Sequence, residues 1–166
     1  MGAPKALTPI AGEAAIARIT RVARACGLDV TVVTRVGIEL PPLDARIVMN
    51  PTPEAGRTGS LQLGLAVVKA REVLCWPVDH PLASEATARA LLATPGDWVV
   101  PEHAGRGGHP ILLRGIALDA VRSAPPSAPL RDLASAVGIV PVRVPIGDAG
   151  VLANLDSPDD LRKWLR

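Results

Sequence analysis

The sequence contains no Phe and no Tyr, and aromatic residues make up only 2% of it. Stacking of nucleic-acid bases on aromatic side chains is therefore scarcely available. Charge offers no substitute, because 18 basic and 16 acidic side chains leave a formal net charge of +2. That is too small for the basic footprint of a nucleic-acid-binding protein. We expect no nucleic-acid partner and a small molecule as the ligand.

Long apolar runs and closely spaced cysteines are also missing. No stretch approaches the roughly 18 apolar residues of a membrane span, and the N-terminus lacks the apolar segment of a signal peptide. We therefore expect no membrane partner and a cytoplasmic location. The cysteines, Cys26 and Cys75, lie far apart and lack the spacing of a zinc site or a redox loop. This favours two core thiols in a reducing cytosol.

What the sequence does contain is an alternation of strand and helix patterns. β-branched or apolar runs predict strands over 30–34, 46–49, 73–79, 98–101, 139–144 and 151–155. Helical spacing and capping signals predict helices over 16–26, 61–70, 85–93, 116–121 and 130–137, and from 157 onward. This alternation is typical of a three-layer α/β/α sandwich with a mostly parallel sheet. The 166 residues suit one domain.

Two carboxylates occupy the same sequence context, since Asp79 and Asp156 each follow an apolar strand pattern. Ligands of α/β proteins lie beyond the carboxyl ends of strands. Mg²⁺ is commonly held there by one or two carboxylates together with substrate phosphates. The pair therefore suggests phosphoryl or nucleotidyl transfer, with Lys5 as a candidate phosphate ligand. The alternatives are turn or capping roles for the aspartates and a solvated loop role for Lys5.

The segment Asn50–Ser60 contains two prolines and two glycines and leads into the predicted helix 61–70, with Thr58 or Ser60 as its cap. Such a loop presents backbone N–H groups that favour an anion, although most capped helices bind nothing. His80 and His109 are candidate substrate contacts, and neither has the clustered spacing of a zinc site.

Five segments resemble the MobA-like nucleotidyltransferases, and in particular their molybdenum-cofactor cytidylyltransferase branch. Met1–Leu7 resembles the end of the family's N-terminal signature, and Asn50–Leu65 resembles its substrate loop and following helix. Pro77–Pro81 is similar to the metal-carboxylate motif, although a Gln is more usual where His80 stands. Arg106–Pro110 resembles the Gly-His-Pro loop, and Asp148–Leu161 resembles the closing segment.

The resemblance implies a Rossmann-like nucleotidyltransferase fold that transfers a nucleoside monophosphate from CTP, or less favourably GTP, to a molybdopterin-type acceptor, with release of pyrophosphate. It implies that Lys5 binds the triphosphate and acts with Asp79 in catalysis. Asp79 and Asp156 would hold Mg²⁺. The substrate would be contacted by Asn50, Ser60, His80 and His109.

One departure concerns the nucleotide loop. Family members carry a strand and a Leu-Ala-Ala-Gly-x-Ser/Gly-x-Arg loop before the Met-Gly, whereas this sequence starts at that Met. We expect either an N-terminally truncated form of the 1–166 domain with impaired turnover, or a non-catalytic relative that acts as a nucleotide-binding or interaction protein. A sugar-phosphate nucleotidyltransferase is a further alternative. Without the strand, the sheet should leave a groove, close up, or borrow a strand from a partner in a homodimer.

Overall fold

The computed structural model describes residues 4–156 and 158–164. Strands are β1 (Pro9–Ile10), β2 (Glu13–Ala14), β3 (Thr31–Arg35), β4 (Arg46–Asn50), β5 (Glu72–Cys75), β6 (Trp98–His103), β7 (Arg106–Gly107), β8 (Ile111–Arg114) and β9 (Val142–Pro145). Helices are α1 (Ala15–Ala25), α2 (Arg57–Ala66), α3 (Glu85–Ala93), α4 (Gly115–Ser123), α5 (Leu130–Ala136) and α6 (Pro158–Trp164). Short 3₁₀ helices span Lys5–Leu7, Pro53–Ala55 and Ala149–Leu152.

The strands form a small hairpin and two sheets. β1 and β2 pair antiparallel, and β3 and β4 pair parallel. In the larger sheet β8 lies between β5 and β6 and runs antiparallel to both. β9 is parallel to β6, so β5, β6 and β9 share one direction and β8 is reversed. This arrangement confirms the predicted α/β class.

The side chains of β8 alternate between two apolar layers. Ile111 and Leu113 pack in a cluster with residues of α2, α4 and α5, whereas Leu112 packs on the opposite face against Leu91 of α3. Leu112 and Leu113 are fully buried. A strand covered on both faces is expected to be apolar, as Ile111–Leu113 of β8 are. Helices therefore cover both faces of the larger sheet, as the predicted sandwich requires.

Helix α2 begins and ends four residues before the predicted bounds, at Arg57 and Ala66. Neither Thr58 nor Ser60 caps it; Gly56 is the N-cap residue, without a side-chain cap. The Thr58 hydroxyl instead donates to the Ala128 carbonyl at 2.6 Å, and the Ser60 hydroxyl to the Gly56 carbonyl at 3.3 Å. Tertiary contacts thus hold the glycine-containing segment in the helix.

The strand predicted over 151–155 was wrong. Residues Ala149–Leu152 form a 3₁₀ helix, because the Asp148 side chain accepts the Gly150 N–H at 2.8 Å and caps this turn. The following residues, 153–155, are irregular but buried at Ala153 and Leu155. The helix predicted from 157 onward is present as α6, which spans Pro158–Trp164, whereas residue 157 lies outside the described residues.

A cavity of about 1900 Å³ separates the two sheets. Its wall includes two runs of consecutive residues. Residues 30–33 lie in and just before β3, and residues 72–79 lie in and just after β5. Successive side chains of a strand point to opposite faces, so a wall of consecutive residues is a strand edge. In the described chain β3 pairs only with β4, and β5 only with β8. The sheet has therefore left a groove, one of the three expected outcomes.

Candidate functional site

Asp79 lies in a turn at the cavity wall. The strand was predicted to extend to Asp79, but β5 ends at Cys75. Asp79 therefore follows the strand by four residues. The turn is closed by the His80 N–H, which donates to the Pro77 carbonyl at 3.0 Å, and by the Trp76 indole N–H, which donates to the His80 carbonyl at 2.8 Å. The Asp79 carboxylate is only 7% exposed, and it accepts a hydrogen bond from Arg57 Nη2 at 2.9 Å.

Asp156 is the more exposed of the two predicted metal carboxylates. One of its oxygens forms an ion pair with Lys5 Nζ, and the other accepts from Asn154 Nδ2 at 2.7 Å. The hydrogen bond from Lys5 is the largest cause that holds the pKa of Asp156 below its ordinary value. Lys5 and Asp156, 151 positions apart in sequence, are thus in direct contact.

A backbone hydrogen bond joins the chain segments that carry the two aspartates. The N–H of Leu155, next to Asp156, donates to the Asp79 carbonyl oxygen at 2.7 Å. Leu155 is buried, together with Ile10 and Ala15. The backbones next to Asp79 and Asp156 are therefore adjacent, although, contrary to the prediction, Asp156 does not follow a strand.

The two candidate histidines form a tilted pair. Their ring centroids lie 4.5 Å apart at an interplanar angle of 50°. Within the described chain, the Nδ1 atoms of both rings are buried without a hydrogen-bond partner. Burial first, and the neighbouring His80 second, lower the pKa of His109 to about 4. Burial also lowers the pKa of His80. Both rings are therefore neutral at pH 7.

Gly108 positions His109 against the closing segment. The backbone N–H groups of Gly108 and His109 donate to Pro101 and Val151 carbonyls at 2.8 and 2.9 Å, respectively. A Cβ on Gly108 would lie 2.4 Å from the Val151 carbonyl oxygen. Only glycine permits this approach of two backbone segments.

Asn50 organises the substrate loop from within. It is 3% exposed at the end of β4; its side-chain oxygen accepts the Thr52 N–H at 2.8 Å, and its amide donates to Ser60 Oγ at 3.0 Å. The cavity wall contains Lys5, Arg57, Ser60, Asp79 and His109. Asn50 and His80 lie behind that wall, each against a residue that lines it. Asp156 does not line the cavity, but it pairs with Lys5, which does.

The protein side chains supply only part of the ligands of a hard cation, and water or substrate must supply the rest. In residues 4–156 and 158–164, no three His, Cys, Asp or Glu side chains converge as a metal site. A protein-only cage is therefore not present in this part of the chain. Two carboxylates with adjacent backbones nevertheless suit Mg²⁺, which is usually bound by one or two carboxylates plus substrate phosphates and water.

Sequence reasoning missed Arg57, the ion-pair partner of Asp79. It lies in a segment predicted to be a loop, and it belongs to no periodic pattern. The signal that could have found it is an arginine directly after Gly56, at the first position of the helix. A basic residue there is unfavourable to the helix dipole, which suggests that another interaction retains it.

The fold is that of an α/β nucleotidyltransferase. Residues 1–140 match the family described as the MobA-like NTP transferase domain, and the chain belongs to this family. A comparison with curated protein sequences gave no significant match. None of the helices in the described ranges is long and apolar enough to cross a membrane.

Several solved structures share the fold. A manganese complex of Rv0371C from Mycobacterium tuberculosis H37Rv is similar over 98% of this chain and 91% of that one, with 22% identity and a TM-score of 0.75. The 2-C-methyl-D-erythritol 4-phosphate cytidylyltransferase of Thermus thermophilus is similar over 98% and 92%, with 22% identity and a TM-score of 0.78. Molybdopterin-guanine dinucleotide biosynthesis protein A of Archaeoglobus fulgidus is similar over 96% and 87%, with 14% identity and a TM-score of 0.67.

Proposed function

We propose that this nucleotidyltransferase is a cytoplasmic, Mg²⁺-dependent enzyme that transfers a cytidylyl group from CTP to a molybdopterin-type phosphorylated acceptor. The acceptor phosphate attacks the α-phosphorus of CTP, a new phosphoanhydride forms, and pyrophosphate leaves. The observation that carries the proposal is the buried Asp79 carboxylate at the cavity wall, tied through Leu155 to the segment of Asp156. The family membership of the chain supplies the class of reaction.

Asp79 and Asp156 are the residues that would hold the metal ion, which neutralises phosphate charge when bound. The two carboxylates differ in burial and local structure, so we propose different roles for them in metal binding. Asp79 is held in a tight turn and shielded from water, whereas Asp156 is half-exposed and lies at the end of an irregular segment. A fixed ligand beside an adjustable one allows the site to close on the nucleotide after it enters, and correct placement is a large part of phosphoryl-type catalysis.

Lys5 contributes a positive charge that is free to leave Asp156 for the triphosphate. Its side chain is 45% exposed, so the ion pair is well solvated and weak. On the acceptor side, Ser60 presents its hydroxyl to the cavity, and Asn50 holds that hydroxyl in place. His109, kept neutral by burial, can accept or donate one hydrogen bond to the substrate without placing a positive charge in a site shielded from water.

The groove between β3 and β5 is part of this proposal. Two strand edges face it, and backbone N–H and C=O groups on such edges need partners. We propose that a further strand fills the groove and carries the nucleotide loop, whose backbone donors would fix the triphosphate. Lys5, a flexible point charge, cannot supply that geometry alone.

The experiment compares Mg²⁺-dependent CTP binding in the protein and in Asp79→Asn by calorimetry, with Asp119→Asn as the control. Asp119 is an exposed carboxylate paired with Arg122 at 3.0 Å, away from the cavity. We expect Asp79→Asn to keep the fold and lose the Mg²⁺-dependent part of binding, while Asp119→Asn behaves as the parent. Equal Mg²⁺-linked affinity in all three proteins would remove Asp79 from the site. Binding without turnover, even after a strand and loop are added, would favour a non-catalytic relative.

A further inference from the structure

The exposed side chain of Arg57 forms an ion pair with the buried carboxylate of Asp79. Its side chain is 75% exposed, whereas the Asp79 side chain is 7% exposed, and the Nη2–Oδ2 distance is 2.9 Å. Within the described ranges, no second hydrogen bond to either side chain is found. A guanidinium carries five N–H donors in a rigid fork. Most of this donor capacity is therefore directed to solvent at the cavity wall, which Arg57 helps to line.

The backbone around Arg57 is packed against the segment of Pro126. Gly56 has φ +113°, and a Cβ there would lie 3.0 Å from the Pro126 carbonyl oxygen. The Gly59 N–H donates to that same oxygen at 3.0 Å, and Thr58 is 1% exposed. Arg57 is thus a long, exposed side chain on a helix start that tertiary contacts hold in place.

A metal ion and Arg57 cannot both use Asp79 freely. The Oδ2 atom that accepts from Arg57 is one of only two oxygens that Asp79 offers to a cation. Two positive charges within a few ångströms also repel strongly at a site shielded from water. A guanidinium released from Asp79 is well suited to a phosphate, because its fork matches two phosphate oxygens at once.

We propose that Arg57 is a positioning residue that exchanges between Asp79 and a substrate phosphate. Without metal it neutralises the buried carboxylate. When a divalent cation takes Asp79, Arg57 turns to a phosphate in the same cavity. This inference deepens the proposed function and rests on it for the identity of the phosphate ligand. The competition between Arg57 and the cation requires only the geometry of Asp79.

The test measures Mn²⁺ alone by electron paramagnetic resonance, with no nucleotide present, in the parent protein, Arg57→Met and Arg131→Met. Arg131 is 87% exposed, lines the same cavity and pairs with Asp132 at 3.5 Å. It controls for the loss of one positive charge. Arg57→Met should bind Mn²⁺ about fivefold more tightly than Arg131→Met, as expected when one ion pair with an exposed partner no longer competes. Equal Mn²⁺ affinity in the two variants, or no binding by either, would overturn the inference.

A second arm adds inorganic pyrophosphate in the presence of saturating Mn²⁺. Arg57→Met should bind it about tenfold more weakly than Arg131→Met, since a charge-assisted contact is lost. Arg57→Lys should keep the Mn²⁺ affinity of the parent while losing part of the pyrophosphate affinity, because lysine preserves the charge without the fork. A purely structural Arg57 would not move the two affinities in opposite directions, so parallel changes would also overturn the inference.

The two proposals fail separately. If neither CTP nor GTP binds, while Arg57→Met still tightens Mn²⁺ binding, the proposed function is lost and the exchange at Asp79 stands. If CTP binds in an Asp79-dependent manner, while Arg57→Met and Arg131→Met bind Mn²⁺ alike, the exchange is lost and the proposed function stands.

Discussion

His80 and His109 pack ring against ring, with centroids 4.5 Å apart, and both Nδ1 atoms are buried without a hydrogen-bond partner among the described residues. A proton on either ring would create a charge that is shielded from water and next to another imidazole. The pair therefore links the integrity of the site to its protonation state.

The first prediction is that stability falls below pH 6.5. The pKa of His109 is about 4 in the fold, against an ordinary 6.5. The unfolded chain therefore binds this proton first as the pH falls, and the contribution of neutral His109 is complete above pH 6.5 and lost progressively down to about pH 4. Urea unfolding at pH 7.5 and 4.5, in metal-free buffer, should show a loss of up to about 3 kcal/mol from this group.

His109→Gln should lose correspondingly less stability over the same pH range. His103→Gln is the control, because it removes a histidine that lies outside the stacked pair, with its Nδ1 2.9 Å from the Ile146 carbonyl. The same dependence on pH in the parent and in His109→Gln would show that the histidine pair does not carry the effect.

The second prediction concerns Lys5→Met. Its exposed ion pair with Asp156 adds little stability, so the unfolding transition should barely change. The pKa of Asp156 should rise toward its ordinary value of 3.8, because the hydrogen bond from Lys5 is what lowers it most. Mg²⁺-dependent CTP binding should weaken about tenfold through the lost charge-assisted contact.

Lys69→Met is the matched control, since Lys69 is an exposed lysine that lines the same cavity beyond the end of α2. NMR titration of the carboxyl groups measures the pKa of Asp156, and calorimetry measures the affinity for CTP. If Lys69→Met weakens CTP binding as much as Lys5→Met does, the cavity attracts phosphate through its overall charge, and Lys5 has no special role.

The third prediction is that Gly108→Ala destabilises the protein. The added methyl group would meet the Val151 carbonyl at 2.4 Å, so the two segments must separate and displace His109. Overpacking of this kind costs about 1–3 kcal/mol. Gly147→Ala, where no heavy atom lies within 4 Å of the added Cβ, should leave the free energy of unfolding unchanged. Equal unfolding midpoints for both variants would contradict the close approach.

The fourth prediction concerns turnover and the choice of base. We expect pyrophosphate release from CTP with a molybdopterin-type acceptor to be near background for the 166 residues and to rise when a strand and nucleotide loop are added at the N-terminus. In that extended protein CTP should bind more tightly than GTP. Efficient turnover by the unextended chain would show that the nucleotide site lies elsewhere, and tighter GTP binding would reverse the base assignment.

Local chemistry made parts of the fold predictable. The run Val30–Thr34 is rich in β-branched residues, and β3 was found at Thr31–Arg35. The helix predicted over 85–93 was found at Glu85–Ala93, where the Ser84 hydroxyl caps it by accepting the Thr87 N–H at 3.2 Å. In both cases the deciding interaction lies within a few residues of sequence.

Where distant residues decide, the sequence predictions failed. The start of α2 was placed too late because Gly56 and Gly59 read as loop residues, whereas the Pro126 carbonyl receives the Gly59 N–H and fixes the turn. For the same reason Arg57 was missed, since its partner Asp79 lies 22 positions away. The resemblance named Lys5 and Asp156, and neither periodicity nor composition could have brought them together.

The open edges of β3 and β5 also bear on how the protein behaves in concentrated solution. Unpaired strand edges are templates for strand addition by any chain that can reach them, including another copy in a partly unfolded state. A strand that filled the groove would thus remove an aggregation hazard, and the loop that it carries would complete a phosphate-binding surface. Selection for solubility and selection for activity would then act on the same few residues.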